Sequence, residues 1–119
     1  MPITNYCYQQ YVDLQTVSGN SWDLPLSFTT GSYPSTTAQS IEGWTINLLV
    51  KVLQSDTEEE AVLDIDVTDH VDAINGLTAV YVSAAQTAEL SGYYYYYLTW
   101  TDDSGGIQTF QYGKVNFTI

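Results

Sequence analysis

Hydrophobic and polar residues alternate with a period of two along most of the chain, which is the pattern of β-strands. In SWDLPLSF (21–28), the apolar face is Trp22, Leu24, Leu26 and Phe28. The same alternation runs through TINLLVKVL (45–53), AVLDIDV (61–67), LTAVYVS (77–83) and IQTFQYGKVNFTI (107–119). Because Pro25 cannot donate a backbone hydrogen bond, its strand is expected at a sheet edge or at a bulge.

Turn-forming residues separate these segments and set the fold class. INGL (74–77) predicts a tight turn, and DDSGG (102–106) predicts a hairpin loop with glycine available for positive φ. Ser83 and Gln86 are spaced as a capping box, so a short helical turn is expected there. Gly113 is expected to mark a bulge in the last strand. About seven short strands predict an immunoglobulin-like antiparallel β-sandwich.

Five consecutive tyrosines, Tyr93 to Tyr97, lie in the segment ELSGYYYYYLTW. Alternation sends Tyr94 and Tyr96 inward with Leu98 and Trp100, and it sends Tyr93, Tyr95 and Tyr97 outward with two threonines. Three aromatic rings on an open face leave apolar area that monomers usually cover, and tyrosine is favoured in protein interfaces. Three interpretations fit the outward tyrosines: they are covered by the N-terminal residues, they contact another protein, or they stack on a glycan.

The first eleven residues hold three tyrosines, Tyr6, Tyr8 and Tyr11, and almost no aliphatic side chains. We expect residues 1–11 to form an N-terminal arm that adds to or crosses a neighbouring subunit, and residues 12–119 to form a single β-sandwich domain. The predicted interface residues are Tyr6, Tyr8, Tyr11, Tyr93, Tyr95 and Tyr97. The start of the chain lacks the basic and apolar regions of a signal peptide. No apolar run approaches the ~20 residues of a membrane helix.

The charge balance and the residues with reactive side chains disfavour several classes of function. Fourteen acids face two bases, for a net charge of −12, which disfavours binding to nucleic acid or to anionic membranes. The segment DIDVTDHVD (64–72) invites a calcium interpretation but lacks the glycine and the terminal glutamate of an EF-hand loop, so a solvated acidic face is expected. Cys7 and His70 are the single cysteine and histidine. With no zinc spacing, phosphate loop or serine elbow, we expect no enzyme, no cofactor, no metal site and no small-molecule substrate.

Four local patterns occur in the order and spacing of a known viral domain. They are SIEGWTINLLVK (40–51), AAQTAEL (84–90), LSGYYYYYL (90–98) and TDDSGGIQTFQYGKVNF (101–117). Together they resemble a domain of tailed-phage virion proteins, similar to the N-terminal domain of siphophage baseplate upper proteins. The resemblance covers roughly residues 40–119. It departs from the family where Tyr97 replaces the usual aspartate.

The resemblance implies a non-enzymatic structural accessory protein of the virion, placed in the tail or baseplate and assembled in the host cytoplasm. Its partners would be other virion proteins or copies of itself. Family members often continue into a fibre or receptor-binding region, whereas this sequence ends at Ile119. That difference favours a capsid decoration or head-fibre-base protein as the alternative. A carbohydrate-binding module for host attachment is the further alternative.

Overall fold

The computed structural model describes residues 10–30, 37–52 and 61–118, which form two packed layers of β-strands. The strands are β1 (Gln10–Tyr11), β2 (Leu14–Val17), β3 (Trp22–Ser27), β4 (Thr29–Thr30), β5 (Thr37–Ala38), β6 (Thr45–Lys51), β7 (Leu63–Val67), β8 (Leu77–Val82), β9 (Gly92–Thr101) and β10 (Ile107–Thr118). Helix α1 spans Ala84–Thr87, and Ala73–Asn75 form a 3-10 turn. The predicted capping box is confirmed, since the side chains of Ser83 and Gln86 bond reciprocally to each other's backbone N–H. In these described ranges, no helix is long and apolar enough to cross a membrane.

The larger sheet has the order β1-β10-β9-β6-β7, with β2 also paired to β10, and β3 pairs with β8 in the second layer. Strands β4 and β5 form a separate two-stranded ribbon. The order β10-β9-β6-β7 is the G-F-C-C′ order of a variable-type immunoglobulin sheet, and β3–β8 matches its B–E pair. The predicted all-β sandwich is therefore confirmed. It differs from the prediction at one edge, where β1 and β2 run parallel to β10.

The hydrophobic core lies between the two layers and follows the predicted alternation. The buried apolar side chains include Trp22, Leu24, Leu26, Ile46, Leu48, Val50, Val80, Val82, Tyr96, Leu98, Phe110 and Phe117. Aromatic rings cross the layers, with Phe28 5.1 Å from Phe110 and Trp22 5.6 Å from Phe117 between ring centroids. Pro25 is exposed and its strand pairs only with β8 among the described strands, as expected for an edge.

The predicted turns at 74–77 and 102–106 both form. Gly76 has φ 73°, and a Cβ there would lie 2.5 Å from the carbonyl oxygens of Gln39 and Phe28. Only glycine therefore fits this turn without displacing backbone. In the β9–β10 hairpin, the Asp102 carboxylate accepts hydrogen bonds from the backbone N–H groups of Ser104 and Gly106 at 2.9 and 2.8 Å.

The N-terminal strands are bound to β10 of the same chain. The Val12 N–H donates to the Tyr112 carbonyl at 2.9 Å, and the Ser18 N–H donates to the Thr118 carbonyl at 2.7 Å. A Cβ on Gly113 would collide with the Val12 carbonyl oxygen, so this glycine permits a close approach of two strands. The pairing of Gln10–Tyr11 thus falls within the segment predicted as an arm, and residues 1–9 lie outside the described residues.

A bulge occurs in β10, although not at Gly113 as the sequence predicted. The register with β9 shifts between Thr109 and Gln111. Phe110 and Gln111 are both buried, so two successive side chains point inward. The bulge reverses the facing of every residue from Tyr112 onward.

A tyrosine-rich face on the larger sheet

The outward surface of the larger sheet carries five tyrosines and two lysines. We define this tyrosine face as Tyr11, Tyr93, Tyr95, Tyr97, Tyr112, Lys51 and Lys114. The predicted alternation in β9 is confirmed, because Tyr96, Leu98 and Trp100 are buried while Tyr93 is 72% exposed. Tyr95 and Tyr97 are half-buried against their neighbours on the same face.

Three tyrosines from three adjacent strands form one row across the sheet. Tyr97 on β9 pairs in register with Tyr112 on β10, which pairs with Tyr11 on β1. The rings of Tyr97 and Tyr112 are nearly parallel, with centroids 6.4 Å apart and planes 7° apart. Tyr11 meets Tyr112 edge-on at 5.4 Å. Cross-strand aromatic pairs of this kind stabilise a sheet while leaving their outer edges available for contact.

Both basic residues of the chain lie in the next row of the same face. Tyr95 is the register partner of Lys51 on β6 and of Lys114 on β10, so it stands between the two lysines. The Lys51 ammonium lies 4.9 Å from the centroid of the Tyr97 ring, within cation–π range. On a chain with fourteen acids, both of the two basic side chains therefore belong to the tyrosine face.

Tyr11 and Tyr97 of the face are held in their neutral form by their surroundings. A hydrogen bond to the Asp13 carboxylate raises the pKa of Tyr11. Partial burial raises the pKa of Tyr97, and the neighbouring hydroxyls of Tyr95 and Tyr112 raise it further. These two hydroxyl groups are therefore uncharged, which suits contact with a protein surface.

Carboxylates border the face on β7, where Asp64 and Asp66 point to the same side as the tyrosines. We call these two residues the acidic margin. The Asn47 amide donates to Asp64 Oδ1 at 2.6 Å and to Asp66 Oδ1 at 2.8 Å, so its two N–H groups are both used. A shallow concavity of about 420 Å³ lies between this margin and Tyr97. Within the described ranges, no group of three or more His, Cys, Asp or Glu side chains is placed to hold a metal ion.

His70, the single histidine, serves as a bridge within the fold. Its Nε2 lies 2.8 Å from the Trp44 carbonyl oxygen, which can only accept, so Nε2 carries a proton and donates. Its Nδ1 lies 2.8 Å from the hydroxyl of the buried Thr78. Both ring nitrogens are thus engaged in structural bonds. Cys7, the single cysteine, lies outside the described residues.

The structure brings together four of the six predicted interface tyrosines. Tyr11, Tyr93, Tyr95 and Tyr97 share the tyrosine face, while Tyr6 and Tyr8 lie outside the described residues. Tyr112 belongs to the face but was not predicted. Strict alternation along β10 would have placed it with the inward residues, and only the bulge turns it outward.

The sequence matches no protein-family model, and the search of curated proteins found no significant relative. The resemblance to a tailed-phage virion domain therefore stays a prediction that rests on its four sequence patterns.

Proposed function

We propose that the protein is a non-enzymatic structural module of a tailed-phage virion that docks onto other virion proteins through its tyrosine face. The observation that carries this proposal is the collection of five tyrosines on one open sheet face, with Tyr93 72% and Tyr11 56% exposed. Monomeric proteins seldom leave such contiguous aromatic area in water. Interfaces, in contrast, concentrate tyrosine at their centre and keep carboxylates at the rim. The tyrosine face with its acidic margin has this distribution.

Contact with protein fits this face better than stacking on a glycan. A sugar ring needs a free aromatic face together with polar groups that are free to bond its hydroxyls. The Tyr97 ring adjoins Tyr112 on one side and has Lys51 over its face. The adjacent polar groups are already paired, since Asn47 bonds both carboxylates of the acidic margin and the hydroxyls of Thr99 and Thr109 lie 3.1 Å apart.

The resemblance of residues 40–119 to a baseplate domain favours a position in the tail or baseplate, with capsid decoration or a head-fibre base as the alternative. The two positions differ in the particle fraction that contains the chain. Quantitative mass spectrometry of separated heads and tails distinguishes them. Recovery with tails supports the baseplate proposal, and recovery with heads supports the alternative.

A competition experiment tests the docking role itself. Wild-type chain and the double variant Tyr97→Ser/Tyr112→Ser are co-expressed during particle production, and their ratio in purified particles is compared with their ratio in the lysate. We expect the variant to be depleted at least tenfold, as for loss of about 1.4 kcal/mol or more of binding free energy. The matched control is Tyr81→Ser, because Tyr81 is 59% exposed on β8 in the other layer. Equal incorporation of the double variant and the control would refute docking through this face.

A further inference from the structure

The tyrosine face and the acidic margin carry opposite charges, and the two lysines and Asp66 lie on opposite sides of one central row. Asp64 is the register partner of Leu49 and lies in that row. That central row is Leu49, Tyr97 and Tyr112 on β6, β9 and β10. Lys51 and Lys114 occupy the row on one side of it. Asn47, Thr99 and Thr109 occupy the row on the other side, and Asn47 is the register partner of Asp66 on β7.

A partner surface of a single charge would match only half of this arrangement. An acidic surface would meet the lysines but would be repelled by the acidic margin, and a basic surface would have the reverse problem. A surface that carries the same two rows in the opposite order matches both halves. A two-fold axis that lies over the central row, parallel to the sheet and perpendicular to the strands, generates such a surface. It turns a second copy of the sheet over, so that the copy presents its charged rows in the reversed order.

We propose that the tyrosine face binds a second copy of this chain in an isologous, face-to-face contact about such a two-fold axis. The proposal rests on the proposed role of this face as a docking surface and names its partner. Closed two-fold dimers are the commonest symmetric assemblies, and their contacts are self-complementary by construction.

The axis determines which residues meet. Tyr97 faces Tyr97 of the second copy, and Tyr112 faces its own equivalent, so the aromatic row is buried at the centre. Lys51 of one copy faces Asn47 of the other, and Asn47 is bonded to both carboxylates of the acidic margin. Lys51 therefore lies close to Asp66 of the second copy, and the axis repeats this contact on its other side. Asp64 lies in the central row and faces its own equivalent. Lys114 instead faces Thr109, which carries no charge.

The available area is of the right order for a stable contact. Five strands at about 4.8 Å spacing, over the roughly 27 Å from Tyr93 to Thr101, span a patch near 20 × 27 Å. With side-chain relief, such a patch approaches the ~800 Å² per partner of a standard interface. Each chain has a net charge of −12, so long-range repulsion opposes the dimer. Salt at about 0.15 M screens that repulsion beyond ~8 Å but leaves the close Lys51 contacts largely intact.

Charge reversal with rescue tests the pairing in the full chain. Sedimentation velocity over a concentration series gives the dimer dissociation constant of the wild type, Lys51→Glu, Asp66→Lys, and the double variant Lys51→Glu/Asp66→Lys. We expect each single variant to raise that constant at least tenfold. The double variant restores the opposite charges across the interface and should recover most of the loss. Asp23→Lys is the matched control for Asp66→Lys, since it makes the same charge change at an exposed residue of β3 in the other layer and should alter the constant by less than about threefold.

A second measurement needs no variant and covers the case in which Asp66→Lys fails to fold. Wild-type chains with natural and ¹⁵N isotopes are mixed, treated with a carbodiimide, and digested for mass spectrometry. Isotopically mixed peptides that join Lys51 to Asp64 or Asp66 support the dimer. Wild-type protein that stays monomeric to about 100 µM would overturn the proposal. A double variant that binds no more tightly than the single variants, or equal effects of Asp66→Lys and Asp23→Lys, would also overturn it. If the chain is monomeric while Tyr97→Ser/Tyr112→Ser is still depleted from particles, the self-association fails and the proposed docking function stands.

Discussion

The hydroxyl group of Tyr96 donates a hydrogen bond to the backbone carbonyl of Val12, a residue 84 positions earlier in the chain. Val12 connects β1 to β2, so this bond ties the N-terminal edge to the centre of the larger sheet. The same hydroxyl accepts a hydrogen bond from the Gln111 amide at 3.1 Å. The Tyr96 side chain is fully buried. One tyrosine of the run is therefore a structural link, while its two neighbours in β9 belong to the tyrosine face.

Replacing Tyr96 with phenylalanine should lower the free energy of unfolding by about 1–3 kcal/mol. The ring still fills its site, but the Val12 carbonyl and the Gln111 amide lose their partner in a buried place. Urea denaturation followed by tryptophan fluorescence measures the change. Tyr94→Phe is the control, because the Tyr94 hydroxyl only accepts an exposed bond of 3.3 Å from the Ser91 N–H. Equal effects of the two variants would show that the Tyr96 hydroxyl does not stabilise the fold.

The same burial predicts a dependence of stability on alkaline pH. Burial raises the pKa of Tyr96 to about 12, compared with about 10 in an unfolded chain. A group whose pKa is raised on folding contributes stability that is complete below its unfolded pKa and is lost as the pH rises through its folded pKa. We therefore expect a loss of roughly 2–3 kcal/mol between pH 10 and 12. Tyr96→Phe should lack this component, so the stability difference between wild type and variant should shrink over that range. A constant difference would contradict the assignment.

Replacing single tyrosines of β9 with alanine should lower stability at the inward positions and not at the outward positions. Tyr96→Ala should cost about 3–5 kcal/mol, because it empties a fully buried aromatic site. Tyr93→Ala, at a side chain that is 72% exposed, should change stability by less than about 0.5 kcal/mol. Tyr94→Ala should also lower the free energy of unfolding, because the Tyr94 ring packs 5.5 Å from Phe117. Tyr95→Ala, like Tyr93→Ala, should change stability little. Chemical denaturation of all four variants makes the comparison, and similar losses on both sides would contradict the facing of the strand.

Calcium should not stabilise the protein beyond the general effect of salt. Asp64 and Asp66 of the acidic margin are both bonded to the Asn47 amide. A solvated acidic surface responds to ionic strength, whereas a binding site stabilises the folded state by mass action. Thermal unfolding in millimolar CaCl₂ and in NaCl of matched ionic strength should give the same Tm. A higher Tm in calcium alone would reveal a site on this acidic surface.

The alternation of apolar residues was sufficient to predict the six longer strands of the two layers, β3 and β6 to β10, the core between them and the direction of the tyrosines in β9. Strands β1, β2, β4 and β5 were not predicted. The predicted features are local, because neighbouring side chains on a strand must point to opposite sides whatever the strand pairs with. The edge position of the strand with Pro25 and the capping box at Ser83 were also predictable, because each depends on residues that are close in sequence. The outward direction of Tyr93, Tyr95 and Tyr97 follows from the same alternation, whereas the position of Tyr11 depends on the pairing of β1 with β10.

The arrangement across strands could not be predicted from the sequence, because it depends on pairings between distant residues. Lys51 and Lys114 meet around Tyr95 only because β6 and β10 both pair with β9. Tyr112 belongs to the face only because of the bulge at Phe110, and no neighbouring residue predicts a bulge there. Gly113, where the bulge was expected, allows the close approach of Val12 instead. The parallel pairing of β1 and β2 with β10 likewise joins the two ends of the described chain.

Chemical footprinting of the tyrosines tests the central claim, that the tyrosine face is the contact surface of an assembly, most directly. The dilute isolated protein and the assembled particle are nitrated under the same conditions, and modification of each tyrosine is quantified by mass spectrometry. We expect Tyr93 and Tyr11, which are exposed in the isolated chain, to become protected in the particle, while Tyr81 on the other layer should react equally in both. Equal reactivity of Tyr93 in the isolated chain and in the particle would contradict that claim.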